Sequence, residues 1–244
     1  MREGGSLKAG RRADMERHDF VIVDEAQDIF DKGIDLMLKA LLKGNNPIEN
    51  GSWFIFYDDS QDYPDGKGLS LYIRTRDMFR NNAASYMLTS SLRVNTGHGI
   101  DEFVQDAASG SIDPGKDYGK DVAISGWKDS VEAIRMVKTA LVREKGLGGT
   151  ENENCIVLFT ADLLRERSEI RALLEQDEGF ELLTPENYSV KSARIRYTTM
   201  LKAKGLERDV VVLVSSPLTD RRNQFQVFIG ASRARGKVVL LIHQ

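Results

Sequence analysis

FVIVDEAQD, residues Phe20 to Asp28, is the stretch on which the reading of the whole chain turns. Four apolar residues, Phe20 to Val23, run directly into Asp24 and Glu25. A continuous β-branched and aromatic run of this length reads as a strand buried on both faces, as in a parallel sheet. Asp24 and Glu25 then fall at the strand's carboxyl end, where open α/β sheets place their ligands. An Asp at such a place in nucleotide hydrolases holds the Mg²⁺ that bridges the terminal phosphates, and a neighbouring Glu can orient or deprotonate a water. The competing interpretation is an ordinary acidic strand-to-helix turn in which Asp28 caps the following helix.

The composition sets outer limits. The chain has 244 residues, of which 41% are hydrophobic and 29% charged. Those values exclude a disordered segment and allow one large domain or two ordinary ones. A formal net charge of −3 means that nucleic-acid binding requires a local basic surface. The single Cys, Cys155, excludes an internal disulfide framework and sits in the apolar run CIVLF, where it reads as a small buried hydrophobe. No apolar run approaches the ~20 residues that span a bilayer, and residues 1 to 18 have no signal-peptide core. The expected compartment is the cytoplasm.

Periodicity then gives a β–α alternation. Residues 1 to 18 are expected as a polar tail. Apolar positions from Ile34 to Leu42 predict a helix, SWFIFYDDSQ (residues 52 to 61) a strand ending in Asp58 and Asp59, and Leu69 to Arg80 a helix. SYMLTSSLR predicts a strand ending at Arg93, with a helix from Thr96 to about Ala108. The Gly- and Asp-rich segment at 109 to 120 is the expected linker. Beyond it, DVAISGW, NCIVLFT, IRYTTM, DVVVLV and KVVLLI predict strands. Helices are expected over Val131–Val142, Leu163–Leu174 and from Gln224. The expected organisation is a first domain over 19–110 and a second over 118–244, both parallel α/β.

Several of these segments together resemble the superfamily 1 DNA helicases of the UvrD/Rep type. DEAQD at Asp24–Asp28 is similar to the family's Walker B motif II. FIFYDDSQ is similar to motif III, with Asp58 and Gln61 in its Asp and Gln places. LTSSLRVN resembles motif IV through Arg93, TTMLKAKGLERDVVVLV resembles motif V, and VFIGASRARGKVVLL resembles motif VI through Arg233. The resemblance implies two RecA-like parallel-sheet domains closing on ATP, the first incomplete at its N-terminus. It implies Mg²⁺ on Asp24, water handled by Glu25, and γ-phosphate sensing by Gln61. Arg93 and Arg233 would neutralise phosphoryl charge, and Glu207 would bind the ribose. Thr199, Lys202, Lys204 and Arg208 are the implied contacts to single-stranded DNA or a duplex junction.

The sequence also departs from the family. No Gly-rich phosphate loop ending in Gly-Lys-Thr or Gly-Lys-Ser is present, and DYPDGKG replaces the usual segment after motif III. Leu201 stands where motif V usually has His, and the inserted lobes have no room. The expectation is a C-terminal portion of such a helicase, inactive by itself, whose phosphate loop comes from a missing N-terminal part or a partner. Two readings of other classes stand beside it. One is a non-hydrolytic module that binds nucleic acid or a partner. The other is a metal-dependent nuclease using Asp24, Glu25, Asp58 and Asp59.

Overall fold

The computed structural model describes residues 16–58, 69–87, 98–148 and 151–244. The chain divides into two compact units, Met1–Thr89 and Ser90–Gln244. Each is taken by itself.

In the first unit, β1 (Phe20–Val23) pairs in parallel with β2 (Ser52–Ile55), from Phe20 opposite Ser52 to Val23 opposite Ile55. Between them lie α1 (Ile34–Leu41) and α2 (Pro47–Asn50), and α3 (Leu69–Asn82) follows. Gly33 precedes α1 with φ of 89°, a backbone region that a side chain would strain. Ile34 and Leu38, one helical turn apart, turn inward onto Phe30, whose ring meets Tyr57 and Tyr72 at 5.2 Å each. Pro47 opens α2 at a position where its missing N–H costs nothing.

The expected two-sided burial of β1 is corrected. One face packs on this core through Val23, while Phe20, Ile22, Phe54 and Phe56 on the other are 43–60% exposed. Ordered pairing also starts within the expected tail: the N–H of His18 donates to the carbonyl of Leu41 at 2.7 Å. Of the strand expected over 85 to 93, residues 85–87 belong to no strand and the rest lies outside the described residues.

The second unit is built on a six-stranded, wholly parallel sheet. In chain order its elements are α4 (His98–Ser109), β3 (Val122–Trp127), α5 (Ser130–Gly148), β4 (Cys155–Phe159), α6 (Glu169–Gln176), β5 (Phe180–Leu182), β6 (Ile195–Thr199), β7 (Arg208–Ser215), α7 (Arg221–Ala231) and β8 (Ala234–His243). The spatial order is β3-β8-β7-β4-β6-β5. Crossovers between parallel strands are right-handed, so the direction of travel decides which face a helix covers. α5 and α6 both lead toward the β5 edge, and both pack on one face with Val157, Val212 and Leu241. α7 leads back toward the β3 edge and packs on the other face with Leu158, Leu213 and Leu240, together with α4. Residues 155–159 are all buried, as a central parallel strand requires, Cys155 among them.

Several features differ from the expectation. Residues 109–120 are no linker between units. Phe103 of α4 and Tyr118 beyond it share one core, and Lys116 bonds Asp106 at 2.7 Å. Leu163 and Leu164 belong to a 3-10 turn, and α6 starts afresh where Ser168 accepts the N–H of Arg171. β5, only three residues long, was not expected, and α7 ends at Ala231, which leaves Arg233 just before β8. No helix among the described residues is long and apolar enough to cross a membrane.

Candidate functional site

The parallel pairing of β1 and β2 brings Asp24, Glu25 and Asp58 to one carboxyl edge of the first unit. Glu25 has φ 52° and ψ 39°, a left-handed conformation uncommon for a residue with a side chain. Its N–H donates to Oδ1 of Asp24 at 2.9 Å. Gln27, 1% exposed, ties the edge together. Its Nε2 donates to the Glu25 carboxylate at 2.5 Å, and its Oε1 accepts the N–H of Asp58 at 3.0 Å. One amide thus links the end of β1 to the end of β2. Gln61, Asp59 and Arg93, three of the expected site residues, lie outside the described residues.

The donor chemistry suits a hard cation only in part. Mg²⁺ commonly takes one or two carboxylates and completes its shell with water and phosphate oxygens. Asp24, at the strand end, can supply such a carboxylate. Among the described residues no group of three or more His, Cys, Asp or Glu is arranged to hold a metal.

In the second unit the expected residues fall on opposite edges of one sheet. Thr199 ends β6 at the carboxyl edge, paired in register with Phe159, and exposed Lys202 lies in the 3-10 turn that follows. Glu207, Arg208 and Arg233 gather at the amino edge, where β7 and β8 begin. The N–H of Arg208 donates to the carbonyl of Arg233 at 3.0 Å. Lys204 lies on the connection between the edges, and Gly205 beside it has φ 76°. Lys202 and Arg208, six residues apart, thus lie toward different edges, no more than about 22 Å apart even for an extended chain.

Arg233 is 4% exposed. Its Nε donates to the carbonyl of Ile229 at 3.1 Å, and Nη2 donates to Oγ of Ser232 at 2.7 Å. The cation therefore lies against the last turn of α7, where carbonyls and the helix dipole favour positive charge.

Sequence reasoning missed a polar cluster at the carboxyl edge between β4 and β7. This is the point where the crossovers change direction, the usual place of ligand crevices in such sheets. Thr160 is fully buried, and its Oγ1 accepts the N–H of Ser216 at 3.2 Å. Ser216 Oγ donates to the Asp162 carboxylate. Buried Gln226 of α7 accepts the N–H of Ala161 at 2.8 Å. Beside them is a cavity of about 380 Å³ with Trp127, Lys128, Asp162, Ser168 and His243 in its wall. Trp127 and His243 stack there with ring centroids 4.3 Å apart. Thr160 and Asp162 share one turn, but Ser216 and Gln226 are more than fifty residues further on, so only the fold assembles them.

No protein-family model matches the chain, and no curated protein matches it. Among solved structures, it is similar to the crystal structure of the C-terminal domain of a possible DNA helicase from Lactobacillus plantarum WCFS1. The identity is 16% and the TM-score 0.45, covering 65% of this chain and 88% of that chain.

Proposed function

We propose that these residues are part of an ATP-driven DNA translocase of the UvrD-like helicase type, with the second unit contacting both nucleic acid and nucleotide. One observation carries this reading. Thr199 and Lys202 occupy the carboxyl edge of the second sheet, while Glu207, Arg208 and Arg233 occupy its amino edge, and residues 200–207 join the two directly. A short connection between edges is what mechanical coupling of two ligands requires, since movement at one end has little slack to absorb it. In this proposal Thr199 and Lys202 touch the DNA backbone. Glu207 meets the nucleotide ribose, and Arg233, turned from the end of α7, meets the phosphates. Arg93 serves the phosphates likewise, and Gln61 senses them. Asp24 holds Mg²⁺, which neutralises phosphate charge when bound, while Glu25 orients water.

The proposal places the phosphate-binding loop outside these 244 residues, because the sequence contains no Gly-Lys-Thr or Gly-Lys-Ser. The open apolar face of β1 and β2 supports that placement. Parallel sheets are covered on both faces, and two strands alone are marginal in water. The same observations favour a second reading, a non-hydrolytic binding module that keeps the sheets without turnover. Steady-state ATPase with saturating single-stranded DNA, run beside Glu25→Gln, tests the proposal. Both proteins should stay at background, since phosphoryl transfer depends on positioning that nothing here supplies. Turnover that disappears in Glu25→Gln would place the phosphate holder within this chain and overturn the assignment.

A further inference from the structure

The connections at the carboxyl edge of the second sheet carry cations that the fold leaves unmatched. Lys128 follows β3, Arg165 and Arg167 follow β4, Lys202 follows β6, and Arg221 and Arg222 follow β7. All are exposed, and none of them has an ion pair among the described residues. By contrast Lys191, Arg235 and Lys237, on the amino side, pair with Glu153, Asp209 and Glu144. Acids share the carboxyl-edge connections, but three of them are turned onto local donors. Asp129 and Asp220 accept the N–H groups of Glu132 and Arg222 at 2.8 Å each, and Asp162 accepts from Ser216. The first two sit at helix starts, whose dipoles partly neutralise them. Glu166 and Glu169 remain exposed. Between β6 and β8 lie β4 and β7, so the row of cations spans about 14 Å and ends at the cavity beside β3 and β8. There Trp127 is buried and His243 lies against it, and Nε2–H of His243 donates to the carbonyl of Lys128 at 3.3 Å, which fixes the ring. The rest of the imidazole lines the cavity with Leu163 and Ile170, while Asp162 and Glu169 add acceptors.

We propose that this cavity takes one unstacked base of a nucleic-acid single strand whose phosphates lie on Arg165, Arg167, Arg221 and Arg222. The inference rests on the proposed contact of DNA with this edge, and it adds the base site, these arginines and the preference for an unpaired strand. Unmatched cations in a row select a polyanion that runs along the edge. The cavity then selects the part of that polyanion that enters it. The carboxylates of Asp162 and Glu169 repel a phosphate, yet they accept from the N–H groups of a base. Aromatic side chains, His among them, are the usual stacking partners of splayed bases. A base within a duplex reaches such a cavity only by leaving its stack, which costs unpairing energy that a single strand does not.

The test is fluorescence anisotropy with a short labelled DNA strand and with the same backbone made abasic throughout. The wild-type chain should prefer the strand with bases by at least about fivefold, as one stacked base provides. His243→Gln keeps an N–H for the Lys128 carbonyl and removes the ring. It should lose the preference while binding the abasic strand as wild type does. His243→Phe keeps a ring without the N–H and should retain the preference. Arg222→Glu should weaken both strands alike and lower the salt slope by about one. Unchanged thermal melts confirm that the variants fold. Trp127 emission, read in a Trp53→Phe background, should shift with the first strand and not with the abasic one, a readout independent of the His243 variants. A preference that survives in His243→Gln or vanishes in His243→Phe overturns the base site, as does unmoved Trp127 emission. A chain that binds both strands equally keeps the nucleic-acid reading and loses this one; a chain that binds neither loses both.

Discussion

Replacing Gln27 should loosen the acidic edge of the first unit in a way that can be measured without any ligand. Gln27→Leu removes the bond to the Glu25 carboxylate and leaves the N–H of Asp58 without the acceptor it has at 3.0 Å. A neutral hydrogen bond is worth about 1 kcal/mol net and one to a charged group ~1.5–3. Glu25 is half-buried and can recover water, so the expected loss is about 2–4 kcal/mol. Gln27→Glu keeps the shape and sets one carboxylate against another. Like charge at that distance raises the native pKa of the introduced carboxyl above its unfolded value. The resulting destabilisation is complete above the native pKa, fades as the pH falls from the native toward the unfolded value, and is gone below the unfolded one. Urea unfolding followed by tryptophan fluorescence reads this directly, because the two tryptophans, Trp53 and Trp127, lie in different units. With Trp127→Phe as background, the midpoint for Trp53 should drop in Gln27→Leu. It should drop at pH 7 and recover toward pH 4 in Gln27→Glu. An unmoved midpoint in Gln27→Leu, or a Gln27→Glu protein as stable as the parent at pH 7, would refute the bridging role.

Two further perturbations probe how the second unit is held. A Cβ added at Gly99 would stand 1.7 Å from the backbone carbonyl oxygen of Tyr118, so Gly99→Ala must push α4 and the following loop apart. The loss should match or exceed the ~1–3 kcal/mol of an overpacked core, read from the Trp127 unfolding transition. The Lys116 ammonium and then the Tyr118 hydroxyl hold the Asp106 carboxyl below its ordinary value of 3.8. That contribution is full above the unfolded pKa and is lost as the pH falls through the native one. Asp106→Asn should therefore differ from wild type by a constant amount from pH 7 to 5, and the difference should shrink under strong acid; a pH-independent difference would contradict it.

How far the sequence discloses this arrangement depends on burial. Cys155–Phe159 and Val210–Val214 are strands buried on both faces, and an unbroken apolar run is legible without context. β5 is legible only in retrospect, since FEL is too short to show a period. Leu163 and Leu164 look like a helix start because a 3-10 turn and a helix share apolar spacing over one turn, although Ser168 is a readable cap. Residues 109–120 look like a linker by composition, yet Tyr118 anchors them in the core, and one aromatic among glycines carries too little signal. The acidic pair at Asp24 and Glu25 is plain in the string. The role of Gln27 is not, because its second partner is 31 residues away. Lys202 and Arg208 look adjacent in sequence, and only the direction of β6 and β7 shows that they serve opposite edges.

That separation of edges is the centre of the functional proposal, and single-stranded DNA binding as a function of salt tests it most directly. Wild-type affinity should fall steeply with salt, as phosphate contacts require. Lys202→Glu should weaken binding to every sequence alike and lower the salt slope by about one. Arg208→Glu, at the amino edge, should leave both affinity and slope as they are. A chain that does not bind DNA, or an Arg208→Glu protein as impaired as Lys202→Glu, would contradict the assignment of nucleic acid to the carboxyl edge.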